Sequence, residues 1–123
     1  MPAKIFSACT VGINCELIEV ETDISRGLSS FSIVGLGDAS VQESKERVRS
    51  AVKNSGLTFP ITKKTVNLAP AEIKKQGSMF DLPIAIGILC ASGQISEKIF
   101  DRSMVVGELS LNGDLKPIKG MIA

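Results

Sequence analysis

The chain has 123 residues, 44% of them hydrophobic, and its 14 Lys and Arg against 13 Asp and Glu give a formal net charge of +1. That length and apolar content support one folded domain with its own core, and so small a net charge names no partner. The chain has no histidine and only three cysteines, Cys9, Cys15 and Cys90, so it holds no Ser-His or Cys-His catalytic pair, no zinc-ligand spacing and no disulfide framework. Only a lysine could act as a base. The cysteines are expected to be small hydrophobes in a reducing compartment. Met1-Pro2-Ala3-Lys4 leads into an alternating segment and not into a signal-peptide core, and no apolar run is long enough to span a bilayer. The expected location is the cytoplasm, without a membrane partner.

Ala3 to Thr10 and Cys15 to Ile24 are β-patterned runs joined through Gly12-Ile13-Asn14, a predicted hairpin. The second run sets Leu17, Val20 and Ile24 against Glu16, Glu19, Glu21 and Asp23, which predicts an acidic stripe on its exposed face. Ser25-Arg26-Gly27 breaks it. Phe31 to Val34 is a third strand ending in Gly35-Leu36-Gly37. Ser40 and Glu43 have capping-box spacing and open a predicted helix to Ser55, closed by Gly56. Val41, Val48, Ala51 and Val52 share one face of it, with Glu43 and Arg47 paired at i, i+4 on the other. Gly35-x-Gly37 shares two glycines with a dinucleotide fingerprint, but the third position is Ser40 and no ribose-binding acid follows at the expected spacing. A GxxxxGK[ST] phosphate loop is also absent from the sequence.

Residues 65 to 89, TVNLAPAEIKKQGSMFDLPIAIGIL, join a strand, a polar loop and an apolar helix without a break. Thr65 to Ala69 alternates and stops at Pro70. Ser78 lies three residues before Asp81, a second capping-box spacing, so a helix is expected from about Asp81, with Pro83 in its first turn. Leu82, Ile84, Ala85, Ile86, Ile88, Leu89 and Ala91 make that helix apolar on every face, which predicts a core helix against a sheet. Its N-terminus offers N–H groups at Gly77 to Phe80, either for simple capping or for contact with an anion.

After Gly93, Ser96 to Phe100 reads as one helical turn. Met104 to Leu111 reads as a strand entering an Asn112-Gly113 hairpin turn, with Asp114 to Ile118 returning. The chain stops at Lys119-Gly120-Met121-Ile122-Ala123 without a polar tail, which is expected of a piece cut from a longer protein. The whole order predicts an α+β, two-layer domain with helices on one face of a mixed sheet. Cations cluster at Lys45, Arg47, Arg49 and Lys53, at Lys63-Lys64 and at Lys74-Lys75. The last two pairs are the candidate nucleic-acid contacts, against the alternative of an ordinary solvated surface.

Three blocks, FSIVGLGDASVQESKERVRSAVKNSGLTFP, TVNLAPAEIKKQGSMFDLPIAIGILCASGQI and VVGELSLNGDLKPIKG, resemble in order and spacing the amino-terminal domain of Mg-chelatase-like AAA+ ATPases of the competence protein ComM type. The resemblance covers nearly all of residues 1–123 and implies a single Lon-like domain. It implies the ribosomal S5 domain 2-like fold, shared with the Lon proteolytic domain and the carboxy-terminal domain of the recombination ATPase RadA. Lon-type peptidases use a serine in a KDGPSAG-like loop and a lysine after a PIGGLK-like segment. Aligning KQGSMFDLPIA and KPIKGMI with these puts Met79 at the nucleophile and Ile122 at the lysine, so neither half of the dyad is present. Ser78 and Lys119 lie one and three residues away. The implied function is a non-catalytic accessory domain, with no cofactor of its own, of a ring-forming homo-oligomeric ATPase. A following module would bind ATP and Mg²⁺ and act on DNA in uptake and recombination. A Ser-Lys peptidase domain and a protein-interaction module without a nucleic-acid role are the alternatives.

Overall fold

The computed structural model describes residues 2–116. Its elements are strands β1 (Ala3–Val11), β2 (Asn14–Ser25) and β3 (Ser30–Val34), helix α1 (Asp38–Asn54), strand β4 (Lys63–Ala69), helix α2 (Asp81–Ala91), a 3₁₀ turn (Glu97–Phe100), and the short strands β5 (Glu108–Leu109) and β6 (Leu115–Lys116). The first four strands form a mixed sheet in the order β1-β2-β4-β3, with β2 antiparallel to both its neighbours and β3 parallel to β4. The α+β architecture expected from the element order is the one observed.

Register decides which residues enter the core. Ile5 faces Val20, which faces Leu68, and Thr22 faces Val66, which faces Ile33, so these rows cross the sheet on one side. All of them are buried. The inward residues of β2 are therefore Ile18, Val20 and Thr22, while Leu17 is exposed, contrary to the sequence expectation for Leu17. Glu19, Glu21 and Asp23 take the opposite face as expected, and Lys4 Nζ lies 3.7 Å from Glu19 Oε2 there. Cys15 is exposed at the β1–β2 turn and is not the core hydrophobe expected, while Cys9 is buried.

Helix α2 packs on β1 and β2, and α1 packs on α2, with Val48, Ala51 and Val52 joining the same core. Gly87 is unfavourable in a helix by about 1 kcal/mol. Burial wins easily, because Ile84 and Ile88 are 0% exposed and each contributes about 2 kcal/mol or more. Pro83 sits where no intrahelical N–H is required.

Neither predicted capping box forms. Ser40 lies inside α1, which begins after Gly37, and its Oγ accepts from Gly77 N–H at 3.0 Å. Ser78 Oγ donates to Glu108. Both hydroxyls are claimed by another segment because the two loops meet, and spacing within one segment cannot anticipate that. The predicted strand from Met104 pairs within its hairpin only at Glu108 and Leu109, although Val105 N–H donates to Phe6 O at 2.8 Å on the free edge of β1. The hairpin loop is longer than Asn112-Gly113, since Ser110 N–H bonds Asp114 O at 2.8 Å, and only Gly113 takes positive φ, at 99°. Of the expected return strand, Leu115 and Lys116 are seen paired, and Pro117 and Ile118 lie outside the described residues.

Gly87 is required for a different reason from a turn glycine. A Cβ there would fall inside van der Waals distance of Thr22 Oγ1 and 3.3 Å from Thr22 Cβ. Gly87→Ala is expected to lower unfolding free energy by about 1–3 kcal/mol through overpacking. In Thr22→Ala/Gly87→Ala the loss should be smaller than the sum of the single losses, measured by urea denaturation. Additive losses would mean that the helix does not rest on Thr22.

Candidate functional site

The loops that leave the parallel strands β3 and β4 are sewn together at one end of the sheet. Leu36 bridges Lys75, Gly37 N–H donates to Lys75 O at 2.8 Å, and Gly77 N–H reaches Ser40 Oγ. Gly35 takes φ +97° with its Cα against the Leu68 carbonyl, and a Cβ on Gly37 would meet the Gln76 side chain at 3.2 Å. Of the two glycines that suggested a nucleotide fingerprint, Gly35 is thus needed for close backbone approach, while Gly37 meets only a flexible side chain at short range.

The N–H groups of the first turn of α2 are used within the chain. Asp81 N–H donates to Ser78 O at 3.1 Å, Leu82 N–H to Gly107 O at 3.0 Å and Ile84 N–H to Phe80 O at 3.0 Å, and Pro83 has none. Gly107 N–H returns a bond to Met79 O at 2.9 Å. The helix's own first amides are thus capped by backbone carbonyls, with no side-chain cap.

Asp81 is the feature that the sequence does not announce. Its side chain is 0% exposed, and its carboxylate accepts from Ser44 Oγ at 2.8 Å, Arg47 Nε at 2.5 Å, Arg47 Nη2 at 3.3 Å and Leu109 N–H at 3.3 Å. A buried carboxylate needs such partners, and the two-pronged arginine contact is the strong form. The hydrogen bond to Asp81 holds the Arg47 guanidinium above its ordinary value in spite of partial burial. Arg47 also lies 3.6 Å from Glu43, as the i, i+4 spacing predicts, but Glu43 is exposed and that contact is the minor one. The only signal available in the sequence was an acid at the head of an otherwise apolar helix.

Beside this joint, Cys9, Lys74, Lys75, Gln76, Met79 and Phe80 line much of a cavity of about 340 Å³. Burial pushes the Cys9 thiol up, and Lys75 only partly opposes it, so the cavity has no activated thiolate. Met79, at the nucleophile position of the resemblance, is half-buried against the core, and Ile122 lies outside the described residues, as does Lys119. Ser78, next to Met79 in sequence, is bound to the Glu108 carboxylate, and Thr10 is the hydroxyl residue among the cavity's lining.

The four candidate nucleic-acid lysines divide in two. Lys63 and Lys74 are exposed. Lys64 and Lys75 are each 2% exposed, and their ammonium groups donate to backbone carbonyls: Lys64 to Pro60 O at 2.8 Å and Thr62 O at 2.6 Å, Lys75 to Pro70 O at 2.5 Å and Ile73 O at 2.6 Å. The expected four-lysine surface is corrected to two, because successive residues of β4 point to opposite faces and the loop folds Lys75 inward. Among the described residues no group of three or more His, Cys, Asp or Glu could hold a metal ion, and no helix is long and apolar enough to cross a membrane.

These features define an α+β domain whose loop ahead of a buried helix is locked by glycines and an internal ion pair. The chain belongs to the family described as subunit ChlI of Mg-chelatase, whose model matches residues 20–123. It is 44% identical over 119 residues to the uncharacterized protein YifB of Escherichia coli (strain K12), and 42% identical over 120 residues to the competence protein ComM of Haemophilus influenzae, covering 97% and 98% of this chain. The uncharacterized protein Rv2897c of Mycobacterium tuberculosis (strain H37Rv) is 38% identical over 119 residues, 97% of this chain. The chain spans 24% of the length of each of these relatives.

Removing Arg47 leaves a carboxylate buried with too few donors, so Arg47→Ala is expected to lower stability by about 3–5 kcal/mol. Glu43→Ala should cost less than about 1 kcal/mol, as for an exposed pair. Urea unfolding of both variants checks this, and similar losses in the two would deny the Asp81 pair its special weight.

Proposed function

We propose that this chain is a non-catalytic, Lon-like accessory domain, of the ribosomal S5 domain 2-like fold, in a ring-forming AAA+ ATPase that acts on DNA. The observation that carries the non-catalytic part is the state of the loop before α2. Met79 stands where the resemblance requires a hydroxyl, and the adjacent Ser78 hydroxyl is held by a carboxylate and not by an amine. A Ser-Lys dyad needs a neutral amine to take the serine proton, and the buried lysine of this region, Lys75, is bound by the Pro70 and Ile73 carbonyls. Family membership and the likeness to a competence protein support the ATPase and DNA parts of the reading. In this reading ATP and Mg²⁺ bind in a module outside these 123 residues, the whole protein is a cytoplasmic homo-oligomeric ring, and this domain contributes to its assembly.

Peptide hydrolysis is expected to be absent from the chain and from Met79→Ser, since the new hydroxyl would still lack a base. Turnover of a fluorogenic peptide by Met79→Ser, above that of the parent, would restore the peptidase reading.

For DNA, the exposed pair Lys63 and Lys74 is the expected contact. Binding should be weak, indifferent to sequence and steeply reduced by salt, because phosphate contacts release counterions. In Lys63→Ala/Lys74→Ala the salt slope should fall by about 1 to 2, as for the loss of one or two phosphate contacts. Fluorescence anisotropy with labelled DNA over a salt series measures it. Equal low-salt affinity in parent and variant would favour a protein-interaction module over a DNA-contacting one.

A further inference from the structure

Three cations from two elements converge on one cavity at the β3 side of the sheet. Arg49 and Lys53 of α1 and Lys64 of β4 line a space of about 300 Å³, whose walls also include Ser29, Ser30 and Phe59. Among the described residues no carboxylate lines it. Arg49 meets the exposed Glu46 at 3.3 Å along the helix. Arg49 and Lys53 are a like-charge pair at i, i+4, a destabilising arrangement on a helix. Burial, aided by the charge of Arg49, pushes the Lys64 ammonium below its ordinary value. Lys64 donates two N–H groups to Pro60 O and Thr62 O, which leaves its third for another acceptor. Such a cluster is unfavourable by itself and is relieved by an anion.

We infer that the cavity between α1, β4 and the Ser29-Ser30 segment binds a phosphate group. Phosphate fits better than a carboxylate because it carries more charge and more acceptor oxygens, matching an arginine fork, two ammonium groups and two serines. The volume accommodates the phosphate and part of the molecule that bears it. No base is recognised by stacking. Phe31 and Phe59 pack on each other with centroids 5.5 Å apart, and Phe59 already lies against Arg49 at 5.9 Å and Lys64 at 5.1 Å. Neither Lys63 nor Lys74 lines the cavity, and the site stands whether or not the domain serves an ATPase ring.

Titration of the chain with inorganic phosphate, against sodium chloride at matched ionic strength, tests the site through ¹H–¹⁵N amide shifts. Saturable shifts are expected at Ser29, Ser30, Arg49 and Lys53. The affinity should fall about ten-fold in Lys53→Gln and further in Arg49→Gln/Lys53→Gln, as for loss of charge-assisted bonds, and stay unchanged in Lys74→Gln. Lys53 is exposed, so its single variant decides the matter even where the double variant does not fold. Equal shifts with chloride, or unchanged affinity in Lys53→Gln, overturn the site. An oligodeoxythymidine that moves the same amides and is displaced by phosphate supports it with a nucleic-acid backbone as the source. Phosphate that moves them where the oligonucleotide does not supports it with a small phosphorylated molecule as the source.

Discussion

A single carboxylate, that of Asp81, organises this domain. It is the first residue of the buried helix, wholly out of water, and it is tolerable there only because Ser44 and Arg47 from α1 and the Leu109 amide from β5 all donate to it. Three segments far apart in sequence are thereby forced to meet at one point. The start of α2 also favours an acid, since the partial positive charge of the helix end lies beside it. The geometry of the loop before α2 follows from this meeting, because Met79, Leu82 and Gly107 exchange backbone bonds directly around it.

The loop before α2 is therefore a structural joint between three segments. The Ser40 and Ser78 hydroxyls make cross-loop contacts, burial pushes the neighbouring Cys9 thiol up, and the buried Lys75 ammonium closes backbone carbonyls that would otherwise lack donors. Charge that remains in solvent or lines open space lies on Lys74 of this loop, on α1 and on β4. The polar groups of this loop thus hold it against the segments it meets.

Much of the fold was legible from composition alone. A helix apolar on every face has only one place to go, so α2 was expected in the core, and alternation located the strands of the sheet. Legibility failed where a residue had to choose between a local and a distant partner. Ser40 and Ser78 have the spacing of helix caps, yet each bonds across loops. Arg47 has a good partner four residues back and a better one 34 residues ahead. Lys63 and Lys64 are a different failure. The two-residue period of a strand implies that neighbours part ways, but the alternation is clear only from Thr65, whereas β4 begins at Lys63. For the candidate site, the apolar Met79 was visible in the sequence, and the convergence of Arg49, Lys53 and Lys64 was not, because it depends on how α1 lies against β4.

The inward turn of one lysine in each adjacent pair changes how the protein looks to chemistry that targets amines. Lys63 and Lys74 present free ammonium groups, whereas Lys64 and Lys75 are capped by carbonyl oxygens at 2.5–2.8 Å and screened by the fold. An acetyl-transferring enzyme, a crosslinker or a trypsin-like protease would therefore meet two single lysines where the sequence spells two dibasic sites, for as long as the chain stays folded. Reactivity of the hidden partners would then be a direct report of local unfolding.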